Sequence, residues 1–485
     1  MAEEIKRLVK TSGIYLLGNV ANRLGAFLLL PLYTHRLSVE QYGILELLYS
    51  TMAMISVFIS LGLSHATLRF YFEFQEKSDR DAVITTNFAL TLTLSLTTMF
   101  VLFFWRDSLA NLVLNDHRLG TVLTICFVII ILEMTAEILL AYLRAREFAF
   151  LFVALAVLQL VVQVSGSLFF LIVRGEGVAG VLKANLISVG VSWIVALLVV
   201  LKNCGFSIHR EKVLPILHYS IPFALGGIIG VVGGNIDRFM LKEFVAIKAV
   251  GLYGLASKFS SLLSFVLAEP FSRGYGPFRF SIMRNDNAAS IQSQVAHYLV
   301  IGSTFLSLGI ALFAPDVIRI MATREYLDAA PLVPILLLGS GLTVVNYCFQ
   351  TGILYSKETR HILHISIGST LFSVLANYLF IKSLGVMGAA ISFALTQMLV
   401  ALWTNWKSQH FFRVAYPTGR MIWIVLIGIC AYIPGALLQP TNILLSILWK
   451  LSLTCFFLAA AYLTDSGVRG IFDWTRLKLE EQRAR

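Results

Sequence analysis

Two cations stand where a membrane helix has no water to offer them. Arg23 lies about eleven residues into an apolar block at 12–34, roughly 16 Å of helical rise, and Lys258 about ten residues into a block at 248–270. A cation near the bilayer centre costs several kcal/mol, so such a side chain faces a bundle interior or water. Polar residues recur four apart beside them. Tyr15, Asn19 and Arg23 share one helix face, Tyr42, Glu46 and Ser50 another, and Tyr253, Ser257 and Ser261 a third, with Lys258 alongside. Two readings stand. Arg23 pairs with a buried acid such as Glu46, Glu133 or Glu137 and the stripes are interhelical glue, or the stripes line a positively charged cavity for an anionic substrate. Stripes on helix pairs that a repeat relates favour the cavity.

Other groups carry weaker signals. Glu133 and Glu137 are four apart in one block. Buried like charges raise one pKa, which suits proton coupling, although Arg144, Arg146 or Arg23 would answer them equally well. Asp237-Arg238 ends another block and is either an ion pair at the interface or a gate. Arg69-Phe70-Tyr71-Phe72 and Phe278-Arg279-Phe280 mix bases with aromatics, a pattern that suits helices lying at headgroup level and puts Arg69 and Arg273 near an entry portal. His361 and His364 have no Asp or Cys beside them, too few ligands for a metal. No GxxxxGK[ST] is present, which excludes a P-loop ATPase. Asp79-Arg80-Asp81 sits in a loop of about seventeen residues, too short to be the nucleotide-sugar domain of a transferase. The five cysteines have neither disulfide nor zinc spacing and read as small buried hydrophobes.

The elements that position these residues are helices. Of 485 residues 58% are hydrophobic and 13% charged, against about a quarter charged in a soluble chain. The apolar residues come in blocks of about twenty, the length that crosses ~30 Å of hydrocarbon, without the alternation of a barrel. Inside hydrocarbon each backbone polar group needs an internal partner, so the blocks are helices. The fold class is an all-α polytopic membrane protein of about fourteen spans, near 12–34, 41–65, 83–105, 119–142, 148–173, 178–201, 214–236, 248–270, 295–314, 330–355, 362–383, 386–407, 419–437 and 443–464. The first block lacks a small-residue cleavage site and reads as an uncleaved span. Placing the N-terminus inside puts most of the 38 Lys and Arg in inner segments, so both termini are expected in the cytoplasm and the net charge of +11 reflects topology rather than nucleic-acid binding. The outer loop near 237–248, with Arg238, Lys242 and Lys248, runs against that bias.

A shift of 208 residues pairs Gly18 with Gly226, Gly43 with Gly251, Gly177-Val178 with Gly385-Val386 and Gly180 with Gly388. It spans six blocks, so the copies are parallel, related by an axis along the membrane normal. This gives two six-helix lobes, 1–201 and 202–407, facing each other around a cavity, with two further spans and a tail in 408–485. Glycines at 226, 230 and 234 in the seventh span serve either close helix packing or bending.

Leu30-Pro31-Leu32-Tyr33-Thr34-His35-Arg36 through Tyr42-Gly43, Leu61-Gly62-Leu63 to Arg69-Phe70-Tyr71, Ser220-Ile221-Pro222, Asp237-Arg238-Phe239 and Val250-Gly251-Leu252-Tyr253 resemble the motifs of polysaccharide-biosynthesis flippases of the multidrug/oligosaccharidyl-lipid/polysaccharide exporter superfamily. The resemblance implies a flippase of the inner membrane. Such a protein moves an undecaprenyl-pyrophosphate-linked oligosaccharide to the periplasmic leaflet by alternating access, for O-antigen or another surface polysaccharide. It is not an enzyme, needs no cofactor beyond a coupling H⁺ or Na⁺, and works among membrane lipids beside a polymerase and a chain-length regulator, by default as a monomer. Arg23 and Lys258 would hold the pyrophosphate, with Asn19, Tyr15, Glu46 and Ser257 around them. A multidrug antiporter, a lipid II flippase and a non-transporting scaffold are the alternatives. An antiporter for cationic drugs needs acids in its lumen, where this chain has bases.

Overall fold

The computed structural model describes residues 25, 27–205, 207–283, 285–438, 442–465 and 469. The first expected span, with Tyr15, Asn19 and Arg23, therefore lies almost wholly outside the described residues. The helices are α1 (Leu30–Arg36), α2 (Val39–Ser60), α3 (Leu63–Glu73), α4 (Lys77–Phe104), α5 (Arg106–Leu114), α6 (Gly120–Ala145), α7 (Ala149–Leu168), α8 (Gly177–Cys204), α9 (Arg210–Gly233) and α10 (Ile236–Phe244). They continue with α11 (Ile247–Leu263), α12 (Glu269–Ile282), α13 (Ala288–Met321), α14 (Leu332–Phe349), α15 (Thr351–Tyr355), α16 (Arg360–Leu384), α17 (Val386–Phe411), α18 (Thr418–Leu437) and α19 (Ile443–Thr464). No strand occurs among the described residues.

Twelve helical runs among them are long and apolar enough to cross a membrane. A thirteenth is the pair Arg210–Ile221 and Gly226–Phe244, bent by 50°. These match the second to fourteenth expected spans. The bend falls where the sequence clusters Pro222 with Gly226 and Gly227, residues that weaken a helix.

The bases and aromatics of 66–82 and 271–294 fall mainly in α3 and α12, which join α2 and α11 in the runs Val39–Glu73 and Ile247–Ile282, of 35 and 36 residues. Each run holds more residues than ~30 Å of hydrocarbon requires, because no loop separates the paired helices. The reason is local. After Leu61 (φ 40) and Gly62 (φ 71) turn left-handed, the chain re-enters a helix at once, and a π turn at Ser264–Ala268 absorbs a residue without ending the other run.

The chain divides into two compact units, Met1–Gly251 and Leu252–Arg485. The division comes later than the expected lobe boundary at 201 because α9 packs against α2, α3 and α4. The core of the first unit gathers Tyr71, Phe88, Leu139 and Tyr142 from α3, α4 and α6. Helix α2 starts at a capping box, where Ser38 and Gln41 satisfy each other's backbone N–H. Its second turn meets the first turn of α11 without side chains between them. A Cβ on Gly43 would stand 2.1 Å from the Ile247 carbonyl oxygen, and one on Gly251 would stand 2.2 Å from that of Val39. The contact is reciprocal: the shift of 208 that pairs Gly43 with Gly251 also pairs Val39 with Ile247. Gly177 and Gly385, paired by the same shift, both begin helices in the left-handed region, at φ +58° and +59°.

In the second unit, α13 packs against α14, α18 and α19. Gly428 and Gly435 let α18 approach closely: a Cβ on them would meet Thr304 and Leu312 at 2.6 and 2.3 Å. An ion pair and a histidine–carboxylate contact tie α19 to α13. Lys450, 1% exposed, bonds Asp316, whose carboxylate also accepts from Ser446 at 3.4 Å. Fifteen residues further along α19's path, His297 Nε2 meets both oxygens of Asp465 at 2.9 and 3.0 Å.

Candidate functional site

The cluster best defined by geometry joins α2 to α10. Glu46, 4% exposed, lies 3.7 Å from Arg238 Nε. Arg238 also lies 3.4 Å from Asp237 through Nη1, and its backbone N–H donates to the same carboxylate at 2.8 Å. Tyr42 and Ser50, on the Glu46 face of α2, are buried as well. Glu46 thus has Arg238, from the second half of the bent pair, as one of its partners. The expected pairing of Asp237 with Arg238 is present, with Glu46 as its third member. Lys242, the next base, is buried in α10 and donates to the Leu112 carbonyl at 2.8 Å, in the last turn of α5, where a helix end favours positive charge. Two of the three bases that offend the positive-inside bias therefore answer internal acceptors.

In α11 the polar stripe opens step by step. Tyr253 is 2% exposed, Ser257 and Lys258 are half-buried, and Ser261 is exposed. The Ser257 hydroxyl donates to the Tyr253 carbonyl of its own helix at 2.8 Å. Lys258 lies about 16 Å of rise after Ile247, inside the candidate span.

The acids of α6 stand apart from these. Glu133 is half-buried and Glu137 exposed, and neither forms an ion pair with Arg144 or Arg146. On α3, Arg69 sits 3.8 Å from Glu73 and lays its guanidinium over the Tyr219 ring of α9 at 4.5 Å. Arg273 is exposed on α12.

Among the described residues nothing lies within 4 Å of a Cβ built on Gly226 or Gly230, whereas one on Gly227 would rest 3.4 Å from Val57 of α2. The sequence reading missed the partners of Lys450 and His297. The available signal was depth, since a lysine inside one span calls for an acid at matching depth in another, and Asp316 is the acid of the ninth span.

Long apolar helices arranged in this way, with buried charge on α2 and α10 and a half-buried lysine on α11, define a polytopic α-helical membrane fold. Over 94% of this chain and 99% of the other, the structure is similar to that of a lipid II flippase, MurJ, in an inward closed conformation, with a TM-score of 0.75 and 13% sequence identity. An inward-facing multidrug resistance MATE transporter of the MOP superfamily gives 0.63 at 18% identity, over 82% and 94%. The chain belongs to the polysaccharide biosynthesis protein family, whose model matches residues 8–278. A curated relative, an uncharacterized membrane protein of Haemophilus influenzae, is 33% identical over 98 residues, 20% of this chain and 24% of its own. Matched stretches span less than half the length of the curated relatives.

Proposed function

We propose that this chain is a flippase that carries an undecaprenyl-pyrophosphate-linked oligosaccharide from the cytoplasmic to the periplasmic leaflet of the inner membrane, for a surface polysaccharide such as O-antigen. The observation that carries the reading is a flippase-like fold on a chain of the polysaccharide biosynthesis family. The charges agree with it. A pyrophosphate joined to a sugar is an anion with a large polar head, which crosses hydrocarbon only in a polar, cationic path. Lys258 is half-buried within a span, and Arg23, outside the described residues, is its expected companion with Tyr15 and Asn19. Arg69 and Arg273 flank the cytoplasmic mouth, and Arg238 with Asp237 closes the outer end against Glu46. Both termini are cytoplasmic, and the protein works as a monomer alongside a polymerase and a chain-length regulator.

Glu133 and Glu137 are the groups through which H⁺ or Na⁺ would couple, since among the described residues no base neutralises them in an ion pair. They also supply the one feature that favours a cation antiporter, the second reading.

Deletion of the gene separates the two. The flippase reading expects completed, unpolymerised lipid-linked units to accumulate on the cytoplasmic face, as read with a probe that cannot enter the cell, and to clear when the gene is restored. Lys258→Gln and Arg23→Gln should each block clearance while protein level in the membrane is kept. Normal surface polysaccharide after deletion, with raised sensitivity to cationic drugs, would overturn the flippase and support the antiporter.

A further inference from the structure

We infer that α12 carries a phosphate-binding site of its own, formed by Arg273, Gly276 and Arg279 at the end of the run Ile247–Ile282. The three residues recur every third position and so follow one oblique row of the helix. Neither arginine lies within ion-pair distance of an acid. Arg279 is further constrained. Its Nε is buried and takes no hydrogen bond, while its guanidinium carbon stands 5.0 Å from the Phe280 ring and 5.9 Å from the Tyr275 ring. Stacking of this kind holds a guanidinium flat and leaves its edge to a ligand.

The wall behind it is neutral and fixed. Tyr275 stacks on Phe271 at 4.8 Å and shares a hydrogen bond with Thr351 Oγ1 at 3.3 Å. Tyr416, from the segment before α18, donates to the Cys348 carbonyl at 3.4 Å. Between the two arginines the row is open, since a Cβ on Gly276 would meet nothing within 4 Å, and the same holds for Gly274.

A buried donor without an acceptor costs free energy, and the two arginines, whose Cα atoms are about 9 Å apart in helical rise, concentrate positive charge at one end of the helix. An anion with several oxygens answers both through charge-assisted, forked hydrogen bonds. Phosphate and pyrophosphate have that geometry. The orientation expected from charge bias puts the end of this run toward the cytoplasmic surface of the bilayer, where phosphate comes either from a bilayer phospholipid or from the pyrophosphate of a polyprenyl-linked sugar. The site depends on the flippase reading only for the second source.

Calorimetric titration of the full-length protein in detergent tests this, with inorganic pyrophosphate and dioctanoyl phosphatidylglycerol as separate probes. One probe or both should bind the native protein. Arg279→Gln and Arg273→Gln should each weaken that binding about tenfold or more, the loss expected for one charge-assisted contact. Arg279→Lys, which keeps the charge without the fork, should fall between, and Arg319→Gln, on an exposed arginine beside Asp316, should bind as the native protein does. Binding of pyrophosphate alone assigns the site to a linked pyrophosphate, and binding of the phospholipid alone assigns it to the bilayer. Binding of neither probe, or equal binding by the glutamine variants, overturns the site. Because no transport is measured, that failure is distinct from failure of the flippase reading. If Arg279→Gln does not fold, Arg273→Gln and Arg279→Lys carry the test.

Discussion

The Arg238 side chain answers two carboxylates, and its loss takes one partner from the more buried of them. Arg238→Gln should cost about 3 kcal/mol, as removal of one member of a buried pair does, because Glu46 is only 4% exposed. Glu46→Gln made together with Arg238→Gln should recover most of that loss, as thermal unfolding in detergent would show; an additive double variant would mean the two side chains do not interact. Lys450 and Asp316 should respond asymmetrically. Asp316→Asn isolates a lysine that is 1% exposed, whereas Lys450→Met leaves an acid that is a quarter exposed and 3.9 Å from Arg319. The asparagine variant should therefore unfold at the lower temperature. The sequence disclosed that charges lie inside spans, because isolated bases in apolar blocks are conspicuous. It did not disclose who answers whom. Arg238, a neighbour of Glu46, comes from a segment almost two hundred positions away, a pairing that only the packing of α10 on α2 creates, while Arg23, weighed as a partner for Glu46, lies outside the described residues.

At the level of helices, the crossing of α2 with α11 leaves no room for a Cβ. Gly43→Val and Gly251→Val should each destabilise the protein by about 2 kcal/mol, as overpacked positions do. Gly190→Ala, whose Cβ would rest 3.8 Å from Leu132, should have little effect. Gly226→Ala and Gly230→Ala should go the other way. An added methyl at either meets nothing, and alanine favours a helix by up to about 1 kcal/mol over glycine. Raised stability with slowed clearance of lipid-linked units would show that bending of α9 is used; raised stability with unchanged clearance would show that it is not. Span positions were legible because hydrocarbon demands length and apolarity from each helix separately. The mix of bases and aromatics in 66–82 and 271–294 also pointed to helices; what it did not disclose is that two left-handed residues and one π turn join them directly to the preceding helices.

For the molecule as a whole, the orientation expected from charge bias predicts the face each loop presents. In intact cells, His117→Cys, in the exposed turn before α6, should react with an impermeant maleimide and Ser78→Cys should not; the reverse would invert the topology. The last two helices take a defined place in this picture. Lys450–Asp316 and His297–Asp465 pin α19 to α13 at positions about 22 Å apart along its axis. A single pin permits swivelling and a greasy seam permits sliding, but two separated pins permit neither, since a shift of one turn would tear both at once. On the flippase reading proposed above, α19 would share whatever displacement α13 makes, as freight, and would not move against it as a shutter.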